Sequence, residues 1–167
     1  VGIAVAELAA SLAAREQLDR HTLQLPRHIG NYLVIGHHIN ELFAMQEPAV
    51  EAARRLGDPA AEALSLSHLS ITYYMAGRYR LGLEYANQTL ALAQASGDTA
   101  GEGYAHVAVS LLLQRLGRYS EADAHEAAAI NLRSASHDYR LVVICLANRG
   151  RIRLARNQFA DAWRFLD

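Results

Sequence analysis

The sequence predicts an all-α fold, a solenoid of tandem antiparallel helix pairs, and three observations predict it. The first is a repeat: "GRYRLGLEYANQTLALAQASGD" spans 77–98 and "GRYSEADAHEAAAINLRSASHD" spans 117–138, forty residues on. Gly77, Gly117 and Asn157 share that interval, as do Tyr79, Tyr119 and Phe159, and the Gly57-Asp58, Gly97-Asp98 and His137-Asp138 marks. The second is helical spacing between the marks. Leu66, Leu69 and Tyr73, and again His106, Val109 and Leu113, fall at steps of three and four residues. The third is a set of small residues in register: Ser70, Ser110 and Gly150, then Gly82, Ala122 and Ala162. Where two helix backbones approach closely, only such residues fit between them. A helix pair cannot bury its apolar face alone, so successive pairs stack and share one continuous core.

The elements follow in order. Residues 1–17, "VGIAVAELAASLAAREQ", read as an amphipathic helix that packs on the amino end. Residues 22–58 form a degenerate unit, with His37 where Gly is expected, Ile39 where Tyr is, and Pro48 inside the second helix, which is expected to kink or restart near Gln46. Full units occupy 59–98 and 99–138, and an incomplete one occupies 139–167. Gly77 and Gly117 end the first helix of their units as C-caps. The Gly-Asp marks end the second helix and supply an Asp N-cap for the next, with Pro59 suited to the first helical position. Each helix of roughly 16–18 residues is then about 25 Å long.

Composition narrows the function. Hydrophobic residues make up 51% and charged residues 20% of 167 residues, a globular balance. A net charge of −1 gives no electrostatic footprint for nucleic acid or an anionic membrane surface. All 16 basic residues are Arg, which together with abundant Ala reads as compositional bias rather than function. No apolar run is long enough to cross a bilayer and no secretion signal opens the chain. The single cysteine, Cys145 in "LVVICLA", excludes an internal disulfide and reads as a buried thiol. These features point to a cytoplasmic protein, and a chain that starts at Val and stops in "AWRFLD" reads as a piece of a larger one.

A small residue in the first helix, a Gly-x-aromatic turn and a small residue three positions on together resemble the tetratricopeptide repeat. The resemblance covers about 22–167. It implies a right-handed superhelix with a concave groove, lined by the first helices, that holds a peptide or partner segment. The long period and "ARRLGD"-like endings are similar to the carboxyl-terminal repeats of bacterial SARP-type activators and NB-ARC (STAND) regulators. The likeness is sharpest over "LDRHTLQLPRHIGNYLVIGHHINELFAMQEPAVEAARRLGD" (18–58). It implies a protein-interaction or sensing module of a bacterial transcriptional or signalling regulator. Such a module binds a partner segment or restrains its own upstream ATPase domain. No Gly-rich loop ending Gly-Lys-Ser/Thr occurs here, so nucleotide and DNA binding are not expected of these residues. The alternatives are a cytoplasmic receptor for a small signalling peptide or metabolite, or an oligomerising scaffold.

The groove residues follow from the non-core side of each first helix. They are His28 and Asn31; Ser67, Ile71, Tyr74 and Met75; Tyr104, Ala108, Leu111, Gln114 and Arg115; and Ala147, Asn148 and Arg151. Asn31 and Asn148 suit backbone hydrogen bonds to an extended segment, and Arg115 and Arg151 suit a carboxylate fork. No metal site is expected: His37, His38 and Glu41 read as a helix-end surface group, and His68, His106, His125 and His137 form no evident ligand set. No cofactor is expected. No catalysis is expected either, since Cys145 has no identifiable base and the carboxylates of "EADAHE" read as a solvated face. Arg149 and Arg153 fall in apolar columns (Leu69 and Val109; Tyr73 and Leu113). Two readings stay open: a rotated helix over 140–156, or an edge left for a missing unit, where Arg156 joins them as a docking patch for an acidic partner.

Overall fold

The computed structural model describes residues 18–133 and 139–155. The helix expected at 1–17, the His137-Asp138 mark, and Arg156, Asn157, Phe159 and Ala162 lie outside the described residues. Within them seven α-helices follow one another without a strand: α1 (Asp19–Ile35), α2 (Ile39–Leu56), α3 (Pro59–Met75), α4 (Tyr79–Ser96), α5 (Thr99–Arg115), α6 (Tyr119–Arg133) and α7 (Tyr139–Ala155).

Their ends repeat with a finer period than the sequence. His37, Gly57, Gly77, Gly97 and Gly117, spaced twenty apart, have φ of 55°, 62°, 71°, 69° and 74°. Each closes a helix in the same way. Gly77 N–H donates to the Tyr74 carbonyl at 3.1 Å and Arg78 N–H to the Tyr73 carbonyl at 2.9 Å. Gly117 and Arg118 repeat this pair of bonds onto Gln114 and Leu113, as do Gly57 and Asp58, and Gly97 and Asp98. These are the two bonds of the Schellman motif, in which a left-handed residue turns the chain back and satisfies the last carbonyls. His37 performs the same turn, with bonds from His37 to Val34 at 3.2 Å and from His38 to Leu33 at 2.9 Å. The starts of α3 and α5 are capped as expected: Asp58 accepts from Ala61 N–H and Asp98 from Gly101 N–H, both at 2.9 Å, with Pro59 opening α3. The restart expected near Gln46 does not occur. Helix α2 runs unbroken through Pro48, and Gln46, instead of marking a restart, lies buried in mid-helix at 4% exposure.

From α1 to α6 the connections are two or three residues long, which obliges neighbours in contact to run antiparallel. Every helix packs against the next, and α3 additionally touches α5, as α5 touches α7. No pair of even-numbered helices packs to that extent among the described residues. The odd-numbered helices thus form the tighter layer. The small-residue columns sit at the close approaches: Ser70, Ser110, Gly150, Gly82 and Ala122 are all buried, and the Ser70 hydroxyl donates to the Gly82 carbonyl at 2.9 Å.

The core passes from unit to unit. Ala86 of α4, Val109, Leu112 and Leu113 of α5, Ala122 of α6 and Ile152 of α7 form one buried cluster, each large aliphatic contributing about 1.5–3 kcal/mol by leaving water. Two columns of side chains form each junction between units. In the first, Phe43 meets Tyr73 in a tilted arrangement with ring centroids 4.7 Å apart, and one unit on Leu83 packs in the cluster that contains Leu113. One unit further, Asp123 accepts from Arg149 Nε at 2.8 Å and from Arg153 Nη2 at 3.0 Å. The two arginines that broke the apolar columns therefore face a carboxylate in the column opposite. This corrects the rotated-helix reading. Ile152 and Gly150 stay buried in register with Leu112 and Ser110, so α7 keeps its register, and both guanidinium groups fold back onto Asp123 of α6. Cys145 is buried, as its setting implied.

Candidate partner-binding face

The residues chosen for the groove come from the odd-numbered helices, of which α3, α5 and α7 touch one another across units. His28 and Asn31 are exposed on α1. On α3, Ile71 is 45% exposed while Ser67, Tyr74 and Met75 are half-buried. On α5, Tyr104 is 49% exposed, Arg115 is exposed, and Ala108, Leu111 and Gln114 are half-buried. On α7, Arg151 is exposed and Ala147 half-buried.

Tyr74 and Arg115 meet across the junction between α3 and α5. The Arg115 Nε and Nη2 both donate to the Tyr74 hydroxyl, at 2.9 and 2.7 Å, and the guanidinium carbon lies 5.2 Å from the ring centroid. Phenol and ring face together hold the guanidinium of an exposed side chain in one place.

Asn148 is the correction. It is 0% exposed, because its column meets α6 rather than solvent, and its Nδ2 donates to Glu126 Oε1 at 2.7 Å. It has no backbone hydrogen bond to offer an incoming segment. Its Oδ1 accepts from Arg151 Nη2, so it acts behind the face and not on it. Glu126, read in sequence as part of a solvated run, is also 0% exposed, and loss of water raises its carboxyl above the ordinary range against the opposing bonds from Ser110, Cys145 and Asn148. A forty-residue shift flags it, since Gln46 and Ala86 occupy the same column and are buried too.

Other residues of the face were missed. Leu64 (44%), Val143 (66%), Ile144 (42%) and Leu154 (38%) are large, apolar and exposed on α3 and α7. The same shift carries Tyr104 onto Leu64 and Ile144, an exposed apolar column of three units that was legible in the repeat. Tyr32 and Ile35 extend the exposed apolar surface on α1. Among the described even-numbered helices only Leu56 and Leu81 are comparable.

The histidines regroup as well. His106 of α5 and His125 of α6 come together with Nδ1 atoms 2.8 Å apart, taking the places of Leu66 and Tyr85 one unit earlier. Burial lowers the pKa of both; Glu102, 3.8 Å from His106 Nε2, and Glu121 near His125 oppose that shift weakly. His38 sits 3.8 Å from Glu41 at the helix end. Among the described residues no group of three or more His, Cys, Asp or Glu is placed to hold a metal ion.

No protein-family model matches the chain, and no curated protein is similar to it in sequence.

Proposed function

We propose that this chain is a protein-interaction module whose odd-numbered helices form the concave layer of a right-handed superhelix and bind an amphipathic partner segment. The observation that carries the reading is the asymmetry of exposed apolar side chains, which crowd onto the odd-numbered helices and are sparse on the even ones. Large apolar side chains left in water on one face mark a surface that another molecule covers. The partner's polar chemistry follows from the cations there. Arg54, Arg55 and Arg118, on the opposite layer or the turns, hydrogen-bond carboxylates, whereas Arg115 and Arg151 hydrogen-bond a phenol and an amide. A guanidinium held by neutral groups retains its attraction for a carboxylate brought by a ligand. The partner is therefore a segment with spaced apolar residues and an acidic group. Half-exposed Tyr104 and Ile71 suit an open surface for a protein segment better than the closed apolar pocket that a metabolite receptor needs. The setting within a bacterial SARP-type or STAND regulator, where occupancy shifts an on/off equilibrium, rests on the sequence resemblance alone.

The test is peptide selection on the immobilised chain from a display library of random segments of about 15 residues. Enriched peptides are expected to combine apolar residues with Asp or Glu. Their binding is expected to fall at least tenfold in Ile71→Glu plus Tyr104→Glu and to persist in Leu81→Glu, on the other layer. Peptides that bind all three proteins equally remove the face from the account.

A further inference from the structure

We infer that Glu126 is a positioning residue for this face: from inside the fold it holds Arg151 of α7 as an anchor for a partner's carboxylate. The inference rests on the interaction reading above and adds to it where the acidic group docks and what prepares the site.

The geometry runs outward from the carboxyl group through two hydrogen bonds. Toward α7, Asn148 Nδ2 donates to Glu126 Oε1 at 2.7 Å. That bond uses the amide's donor end, so the Oδ1 must point the other way, where it accepts from Arg151 Nη2. A side-chain amide is nearly symmetric in shape, and here only the buried acceptor dictates which end faces the arginine. Glu126 and Asn148 are each 0% exposed, so the route is sealed from water except at its outer end, Arg151. Glu126 Oε2 has no well-aligned hydrogen bond, so the carboxyl is not placed there to satisfy every polar atom of a packed interior.

Packing alone does not call for a carboxyl group at this position. One unit earlier the column holds Ala86, buried in an apolar cluster with Leu112. Burying an acid with an incomplete set of partners is unfavourable beside such an apolar junction. The face above each junction differs in the same sense. Arg151 stands where Leu111 stands one unit earlier. The surface thus changes from apolar to polar at the junction where the interior does. A long arginine side chain otherwise loses substantial rotamer freedom when it grips a ligand, and holding it beforehand removes that loss from the binding step.

The experiment compares Glu126→Ala, which copies Ala86, with Glu126→Gln, which keeps an acceptor for Asn148. In the free protein, nitrogen–proton NMR of the Arg151 guanidinium and Asn148 amide is expected to show distinct, ordered signals in wild type and Glu126→Gln. In Glu126→Ala the Arg151 signal is expected at the position of a freely rotating arginine. An unchanged Arg151 signal in Glu126→Ala overturns the positioning role, whatever the protein binds. A display-selected acidic peptide is then titrated beside its Glu→Gln or Asp→Asn counterpart. Glu126→Ala and Arg151→Ala are each expected to weaken the acidic peptide about tenfold and leave the neutral one unchanged. Equal binding of the two peptides by wild type, or retained preference in Glu126→Ala, overturns the anchor. Failure of the face itself is seen separately, as insensitivity of every peptide to Ile71→Glu plus Tyr104→Glu.

Discussion

His37 turns the chain at φ 55°, where the other four turns of its kind use glycine. A residue with a Cβ is strained there by roughly 1–2 kcal/mol, part of which glycine gives back through its looser unfolded chain. His37→Gly is accordingly expected to raise unfolding free energy by about 1 kcal/mol in urea titration. At His106 and His125 the 2.8 Å approach of two Nδ1 atoms works only while one carries a proton and the other does not. Both pKa values are lowered on folding, so the unfolded chain binds protons more readily. Stability contributed by the pair is therefore full above about pH 6.5 and is lost as pH falls from there toward the lowered folded values. Glu126, whose pKa is raised, acts in the opposite sense: its contribution is lost as pH rises above the ordinary carboxyl range. Replacing the histidines together by Leu and Tyr, as Leu66 and Tyr85 stand one unit earlier, isolates the first effect. Urea midpoints at pH 7.5 and 5.5 are expected to fall in wild type more than in His106→Leu plus His125→Tyr; an equal fall rules out the pair as the source.

At the scale of the element, two helix backbones approach closely at Gly82. A Cβ there would lie 2.8 Å from Leu112 Cδ2, 3.2 Å from the Ser70 carbonyl oxygen and 3.3 Å from Tyr73 Cβ. Leu112 can turn aside, but the carbonyl belongs to the backbone of α3. Gly82→Ala is expected to destabilise by roughly 1–3 kcal/mol in thermal or urea unfolding, although Ala122 occupies the same column one unit on. Helix existence and ends were legible because caps and turns are local: Asp58, Pro59 and Gly77 act within a few residues of themselves. The Pro48 expectation erred for the complementary reason. A proline removes one bond and crowds one turn, but α2 is held along its length by burial of Leu42, Met45, Ala49 and Ala53, and that packing outweighs the local break. Asn148 erred likewise, since its helix-face position was right and only the neighbour, Glu126, made it interior.

For the whole molecule, one chain uses two kinds of junction on one geometry. Ala86 and Leu83 close theirs with apolar atoms, while Glu126 and Asp123 close theirs with hydrogen bonds to Asn148, Arg149 and Arg153. What the sequence determined by itself was the all-helical class, the interval of the repeat and the turn chemistry, because these follow from short-range sterics and from one stretch of chain compared with another. Which polar residues become interior was decided by the tertiary structure. Burial of Glu126 and the pairing of Asp123 with two arginines depend on atoms more than twenty positions away, and removal from water is a property of what surrounds a side chain rather than of the side chain itself.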